Sequence, residues 1–195
     1  MDPVMQKILD HARTVMGNSG SHGFDHVGRV TALCERIGTA EGANMAILVS
    51  AALLHDIARP LEKERGIPHE QEGARVAEEY LASIGYPASA IPAITAAIRT
   101  HRFRSVEKPV SLEARILSDA DKLDALGAVG IARTFLRAGE HGTMITDGID
   151  HVHEKLLRLP GLMYTKTARQ IAQERHAFLV QFLGRLEEEM ADRRE

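Results

Sequence analysis

Residues 46–54 read AILVSAALL, and His55 and Asp56 follow at once. The stretch is apolar on every helical face, so 46–58 is predicted to be a central helix that others must wrap. It falls well short of the ~20 apolar residues that a membrane span needs. The histidine–aspartate ending adds a second demand. A buried carboxylate is costly unless it is ion-paired, hydrogen-bonded or on a metal, so Asp56 needs partners from elsewhere in the chain.

The flanking sequence is helical in its periodicity. Val4, Ile8, Ala12 and Val15 recur at helical spacing behind Asp2-Pro3, a cap followed by a first-turn proline. Val27, Val30, Leu33 and Ile37 mark a second helix that Gly42 ends. Further helices are predicted over 70–84, 90–100, 111–137, 150–159 and 165–193. The last is expected to face inward through Ile171, Phe178, Phe182 and Leu186, or to offer a homodimer face. Residues 17–23 and 139–148 read as loops, 59–68 (RPLEKERGIP) as a polar connection, and 101–109 (HRFRSVEKP) as a basic loop. The 85–87 Gly-Tyr-Pro reads as a helix-ending turn. No segment alternates as a strand does. The expectation is an all-α chain, a single helical domain over 1–195.

Composition narrows the function. The net charge of -3 argues against a general nucleic-acid or anionic-membrane binder. The lone Cys34 excludes an internal disulfide framework and fits a reducing compartment, and Val30, Leu33 and Ile37 around it suggest a buried, inert thiol. The N-terminus does not read as a signal peptide and no membrane span is expected, so the protein is expected in the cytoplasm.

Ten histidines in 195 residues raise the question of convergence. Four places stand out: His22 and His26 in SHGFDHVGRV; His55-Asp56; Asp119, Asp121 and Asp124 in LSDADKLDALGAVG; and the single His69 and His101. In a regular helix Asp119 and Asp121 point about 200° apart, whereas Asp121 and Asp124 share a side. Asp121 is therefore the ligand candidate, Asp124 a water-positioning candidate, and Asp119 an orienting group. Histidine and carboxylate ligands together suit Mn²⁺, Fe²⁺, Co²⁺, Ni²⁺, Mg²⁺ or Zn²⁺, ions that can activate water near neutral pH. The plain alternatives are a capped core pair for His55-Asp56, a loop residue for His22, surface histidines for His69 and His101, and an ordinary ion pair for Asp124.

His26, then His55-Asp56, then Asp121 resembles the H…HD…D signature of the HD-domain metal-dependent phosphohydrolases. The runs SHGFDHVGRV, DADKLDALGAVGIAR and EKLLRLPGLMYTKTARQIAQERHAFL resemble the small bacterial subgroup that includes nucleoside and deoxynucleoside triphosphate pyrophosphohydrolases. The resemblance implies an all-helical HD domain and metal ligands at His26, His55, Asp56 and Asp121. It implies one divalent metal, Mn²⁺ first among the candidates. His69 followed by Gly73 is similar to the H-x-x-x-G element of dinuclear HD enzymes, and His101 sits where those place another ligand. The subgroup is mononuclear, so a substrate contact ranks ahead of a second metal at both.

The expected activity is hydrolysis of a nucleoside or deoxynucleoside triphosphate to monophosphate and pyrophosphate. A monophosphate phosphatase, a phosphodiesterase and a non-catalytic nucleotide-binding module are the alternatives. Asp124, His101 or His69 would orient water or protonate the leaving group. His22, Arg29 and Lys122 would contact the phosphates, with Arg102, Arg104, Lys166, Arg169 and Arg175 as lesser candidates. The partner is then a nucleotide or another phosphoester, with neither nucleic acid nor membrane involved.

Overall fold

A computed structural model describes residues 2–17, 23–103 and 105–191, with backbone alone over 63–65. Among the described residues every regular element is helical: α1 (Pro3–Met16), α2 (Phe24–Glu41), α3 (Met45–Leu54), α4 (Arg59–Arg65), α5 (His69–Ser83), α6 (Ile91–Thr100), α7 (Leu112–Asp124), α8 (Gly127–Glu140), α9 (Ile145–Glu154), a 3-10 segment (Leu156–Leu162) and α10 (Lys166–Ala191). None of these helices is long and apolar enough to cross a membrane. The all-α expectation holds. The chain divides into two compact units, Met1–Asp121 and Lys122–Glu195.

In the first unit α3 is the central helix. It packs against α1, α2 and α6, and α6 packs on α5. Leu48, Ala51, Ala52, Leu53 and Leu54 of α3 are all buried, and each leucine side chain removed from water contributes ~1.5–3 kcal/mol. Capping sets the starts. The Asp2 carboxylate accepts from the Val4 N–H ahead of α1, and Asn44 Oδ1 accepts from the Ile47 N–H ahead of α3. Gly42 ends α2 at φ 76°, a left-handed conformation that glycine adopts without steric cost. At 85–87 the Tyr86 hydroxyl donates to the Ala46 carbonyl and takes a bond from Ser50, which ties the α5–α6 turn to α3. Cys34 is fully buried, as expected, and burial first of all pushes its thiol pKa well up, with Asp121, Glu35 and Asp119 adding to the rise.

Residues 59–68 and 111–137 depart from the sequence expectation. Residues 59–68 are not a plain connection: 59–65 form α4, with Pro60 in its first turn and Gly66 closing it at φ 67°. The run 111–137 is not one helix. It stops at Asp124 and restarts at Gly127, with Leu126 extended and Gly127 at φ 71°. The break is tight, because Gly130 lies against the Ala125 carbonyl, where a Cβ would collide with the backbone.

In the second unit α10 packs on α8 and the 3-10 segment, and α9 packs on both of those. The buried stripe of α10 is Ala168, Ile171, Ala172, Leu179 and Leu183. Phe178, expected inside, is 47% exposed, and Phe182 instead meets the Phe135 ring at 6.2 Å between centroids. Leu179 and Leu183, four apart, take the inward positions, each one residue past the expected Phe178 and Phe182. α9 begins at Ile145, five residues ahead of the expected start.

Candidate metal centre

The site grows from the way α3 ends. Past Leu54 the chain tightens into a turn, with Ile57 N–H donating to Leu54 O at 3.2 Å and Arg59 N–H to Asp56 O at 2.8 Å. His55 Nδ1 lies 2.7 Å from Ala52 O and donates to it, which leaves the Nε2 lone pair facing away from the helix. His101, just past α6, repeats the device: its Nδ1 donates to Ile98 O at 2.6 Å, and Ser118 Oγ of α7 holds its carbonyl at 2.9 Å. His69 opens α5 with Nδ1 3.0 Å from Glu62 Oε2. Three histidines thus have Nδ1 directed at an acceptor and Nε2 turned toward the cluster around Asp56. Such an outer partner is what fixes the ring of a metal-bound histidine.

All of them converge on Asp56, whose two oxygens face different groups. Oδ2 lies 3.6 Å from His26 Nε2 and 3.8 Å from His55 Nε2. Oδ1 lies 3.2 Å from His69 Nε2, 3.7 Å from His101 Nε2 and 3.4 Å from Arg59 Nη1. His26 Nε2 in turn is 3.3 Å from His55 Nε2 and 3.5 Å from Asp121 Oδ1. His26, His55, Asp56, His69 and His101 are buried, whereas the Asp121 side chain keeps 27% of its surface open.

The electrostatics follow from that crowding. Burial pushes the His55 pKa down to about 4, against the opposing pull of Asp56, so the ring is neutral. Burial works to raise Asp56, yet the adjoining His55 imidazole, the Arg59 charge and hydrogen bonds from His101 and His69 hold it well below the usual carboxylate range. Burial also works to raise Asp121, but the His26 hydrogen bond and the neighbouring imidazole charges keep it low as well. For His101 burial pulls downward, and the Asp56 hydrogen bond with the Asp121 and Asp56 charges wins, raising it overall.

The donor set fits a divalent metal. His26, His55 and Asp121 offer one atom each within 4.8 Å of one another, as do His55, Asp56 and His101. Two carboxylates held ionised face imidazole Nε2 atoms, one of them on a neutral ring, the form in which each binds a metal. Without sulfur in the set, a mixed N/O ion such as Mn²⁺ or Fe²⁺ suits it.

The other sequence candidates are placed as follows. His22 and Arg104 lie outside the described residues. Arg29 Nη1 pairs with Asp25 at 2.7 Å, one turn from His26. In the second unit Lys122 lies over the Tyr164 ring at 4.8 Å, Asp124 Oδ2 accepts from Arg133 at 2.6 Å, and Arg175 donates to Leu123 O at 2.6 Å. Arg102 is more than a loop residue, since its Nη1 sits between Glu62 Oε1 at 3.0 Å and Glu70 Oε2 at 3.2 Å. Sequence reading passed over Arg59 and Glu62 because Pro60, Gly66 and Pro68 made the segment look like a connection. The signal was present all the same: Arg59 stands three residues after Asp56, the spacing that puts two side chains on one helical side.

A buried His/Asp cluster at the ends of packed helices defines the class. Residues 23–126 match the HD domain family, and the chain belongs to that family as an HD-type metal-dependent phosphohydrolase. Among curated proteins it is 36% identical to the uncharacterized protein YpgQ of Bacillus subtilis (strain 168) over 182 residues, 88% of this chain and 86% of that one. The crystal structure of B. subtilis YpgQ in complex with ADP is similar at a TM-score of 0.79 and 32% identity, covering 95% of this chain and 97% of that one. A predicted HD superfamily hydrolase from an uncultured Thermotogales bacterium matches at 0.74 and 33%, covering 96% and 94%.

Proposed function

We propose that this protein hydrolyses nucleoside or deoxynucleoside triphosphates to monophosphate and pyrophosphate, with residues 1–195 acting as one HD-type domain. The observation that carries the reading is the convergence of His26, His55, Asp56 and Asp121 through Nε2 and carboxylate oxygens. The ADP in the B. subtilis YpgQ crystal structure supports a nucleotide substrate. His26, His55, Asp56 and Asp121 would hold one divalent ion, Mn²⁺ first among the candidates, and when bound it supplies Lewis-acid polarisation and an activated water.

The side chains divide the remaining work. Water adds to the α-phosphorus, the bridging bond to the β-phosphate breaks, and pyrophosphate leaves. His101 and His69 face the same carboxylate oxygen from beside the ligands, and His101 passes a proton from Nε2 to the leaving oxygen. Arg29 offsets phosphate charge one turn beyond His26. The test is product analysis. Chelator-stripped protein is inert, Mn²⁺ restores turnover, and triphosphates give equal amounts of monophosphate and pyrophosphate. Orthophosphate released from monophosphates would replace this reading with a phosphomonoesterase.

A further inference from the structure

Asp56 presents donors on two sides, and only one side belongs to the metal centre proposed above, on which this inference rests. On the Oδ1 side stand His69 Nε2 at 3.2 Å and His101 Nε2 at 3.7 Å. Both rings have Nδ1 bound to an acceptor, so both present Nε2 to the carboxylate. Two imidazoles and a shared carboxylate oxygen are themselves a ligand set for a divalent ion. A cationic side chain already stands against two of these three donors. Arg59 Nη1 lies 3.4 Å from Asp56 Oδ1 and 3.0 Å from His69 Nε2. A neighbouring cluster repeats the pattern: Glu62, His69 and Glu70 offer atoms within 4.8 Å of one another, and the Arg102 guanidinium is bonded to both carboxylates.

We propose that Arg59 fills a latent second cation site on the Oδ1 side of Asp56 and thereby holds the centre at one metal per chain. The guanidinium is a fixed cation whose fork can face the carboxylate and the imidazole together. It brings one positive charge where a metal would bring two, which lessens repulsion toward the ion on the Oδ2 side. α4 makes the placement. Pro60 sets its first turn and seats Arg59 one turn beyond Asp56, while Glu62 from the next turn anchors the His69 ring that Arg59 touches. Arg59 remains 24% exposed, so its outer edge is open to solvent.

The experiment is Mn²⁺ stoichiometry on chelator-stripped full-length protein, by equilibrium dialysis with metal analysis, alongside electron paramagnetic resonance. Wild type and Arg59→Lys bind one Mn²⁺ per chain with an uncoupled signal. Arg59→Ala and Arg59→Gln bind two, and their spectrum shows the spin coupling of ions that share a carboxylate. Surface binding would raise the count without coupling, which would overturn the proposal. So would folded Arg59→Gln that stays at one Mn²⁺, or wild type that binds two. Circular dichroism establishes folding, and Arg59→Gln decides the matter if Arg59→Ala does not fold. Wild type that binds no Mn²⁺ at all would instead overturn the metal centre itself, so the two failures are distinct.

Discussion

Asp56→Asn removes one charge and almost no volume, and it is expected to abolish both Mn²⁺ binding and turnover. The carboxylate is the point on which His26, His55, His69, His101 and Arg59 all converge. An amide has one acceptor oxygen in place of two and no charge, so it cannot serve both sides. Loss of the metal's contribution, several kcal/mol, lowers kcat/KM by about 10³-fold or more at ~1.4 kcal/mol per decade. Far-UV circular dichroism should be unchanged, since the helices around Asp56 are held by apolar packing. Mn²⁺ should also cease to raise Tm, because a ligand stabilises a protein only by binding its folded state. A variant with verified metal loss and near-wild-type turnover would sink the assignment.

His101→Gln is expected to lower kcat by about 10²–10⁴-fold, the usual range for loss of a general acid. Here the metal should stay. His101 faces Asp56 Oδ1, whereas the proposed ligand set uses His26, His55, Asp121 and the Oδ2 side. The readout is therefore a pair of numbers, kcat and Mn²⁺ per chain. A fall in kcat at one Mn²⁺ per chain places His101 in proton transfer or water orientation. Unchanged kcat would make it a packing residue held by Ile98 and Ser118, and a parallel loss of Mn²⁺ would make it a ligand.

The sequence showed the centre more clearly than its surroundings, for physical reasons. His55-Asp56 stood out because a polar pair ends a segment that is apolar all round, and the central place of α3 bears that out. Helical angles showed that Asp119 and Asp121 point apart, and Asp121 is the one that faces His26. The fate of Asp124 was hidden, because it depends on where the helix breaks. The apolar period runs through 124–127 without interruption, yet Gly130 lets α8 start close against Ala125, and Arg133 reaches Asp124. Nothing local forces that break except Gly127, and a single glycine in a helical pattern is weak evidence. Residues 59–65 failed in the opposite direction. Proline and glycine at both ends suggested a connection, but Pro60 is in the first turn, where proline starts a helix well. In α10 the aromatic side chains attracted the inward assignment, although the buried stripe runs through smaller aliphatic residues one position further along.

The most direct measurement is anomalous diffraction at the manganese edge from a crystal soaked in Mn²⁺. One strong peak per chain is expected, bonded to His26 Nε2, His55 Nε2, Asp56 and Asp121, with the Arg59 guanidinium on the far oxygen of Asp56. A peak held by other residues, or none at full Mn²⁺ occupancy of the solution, would contradict the proposed centre.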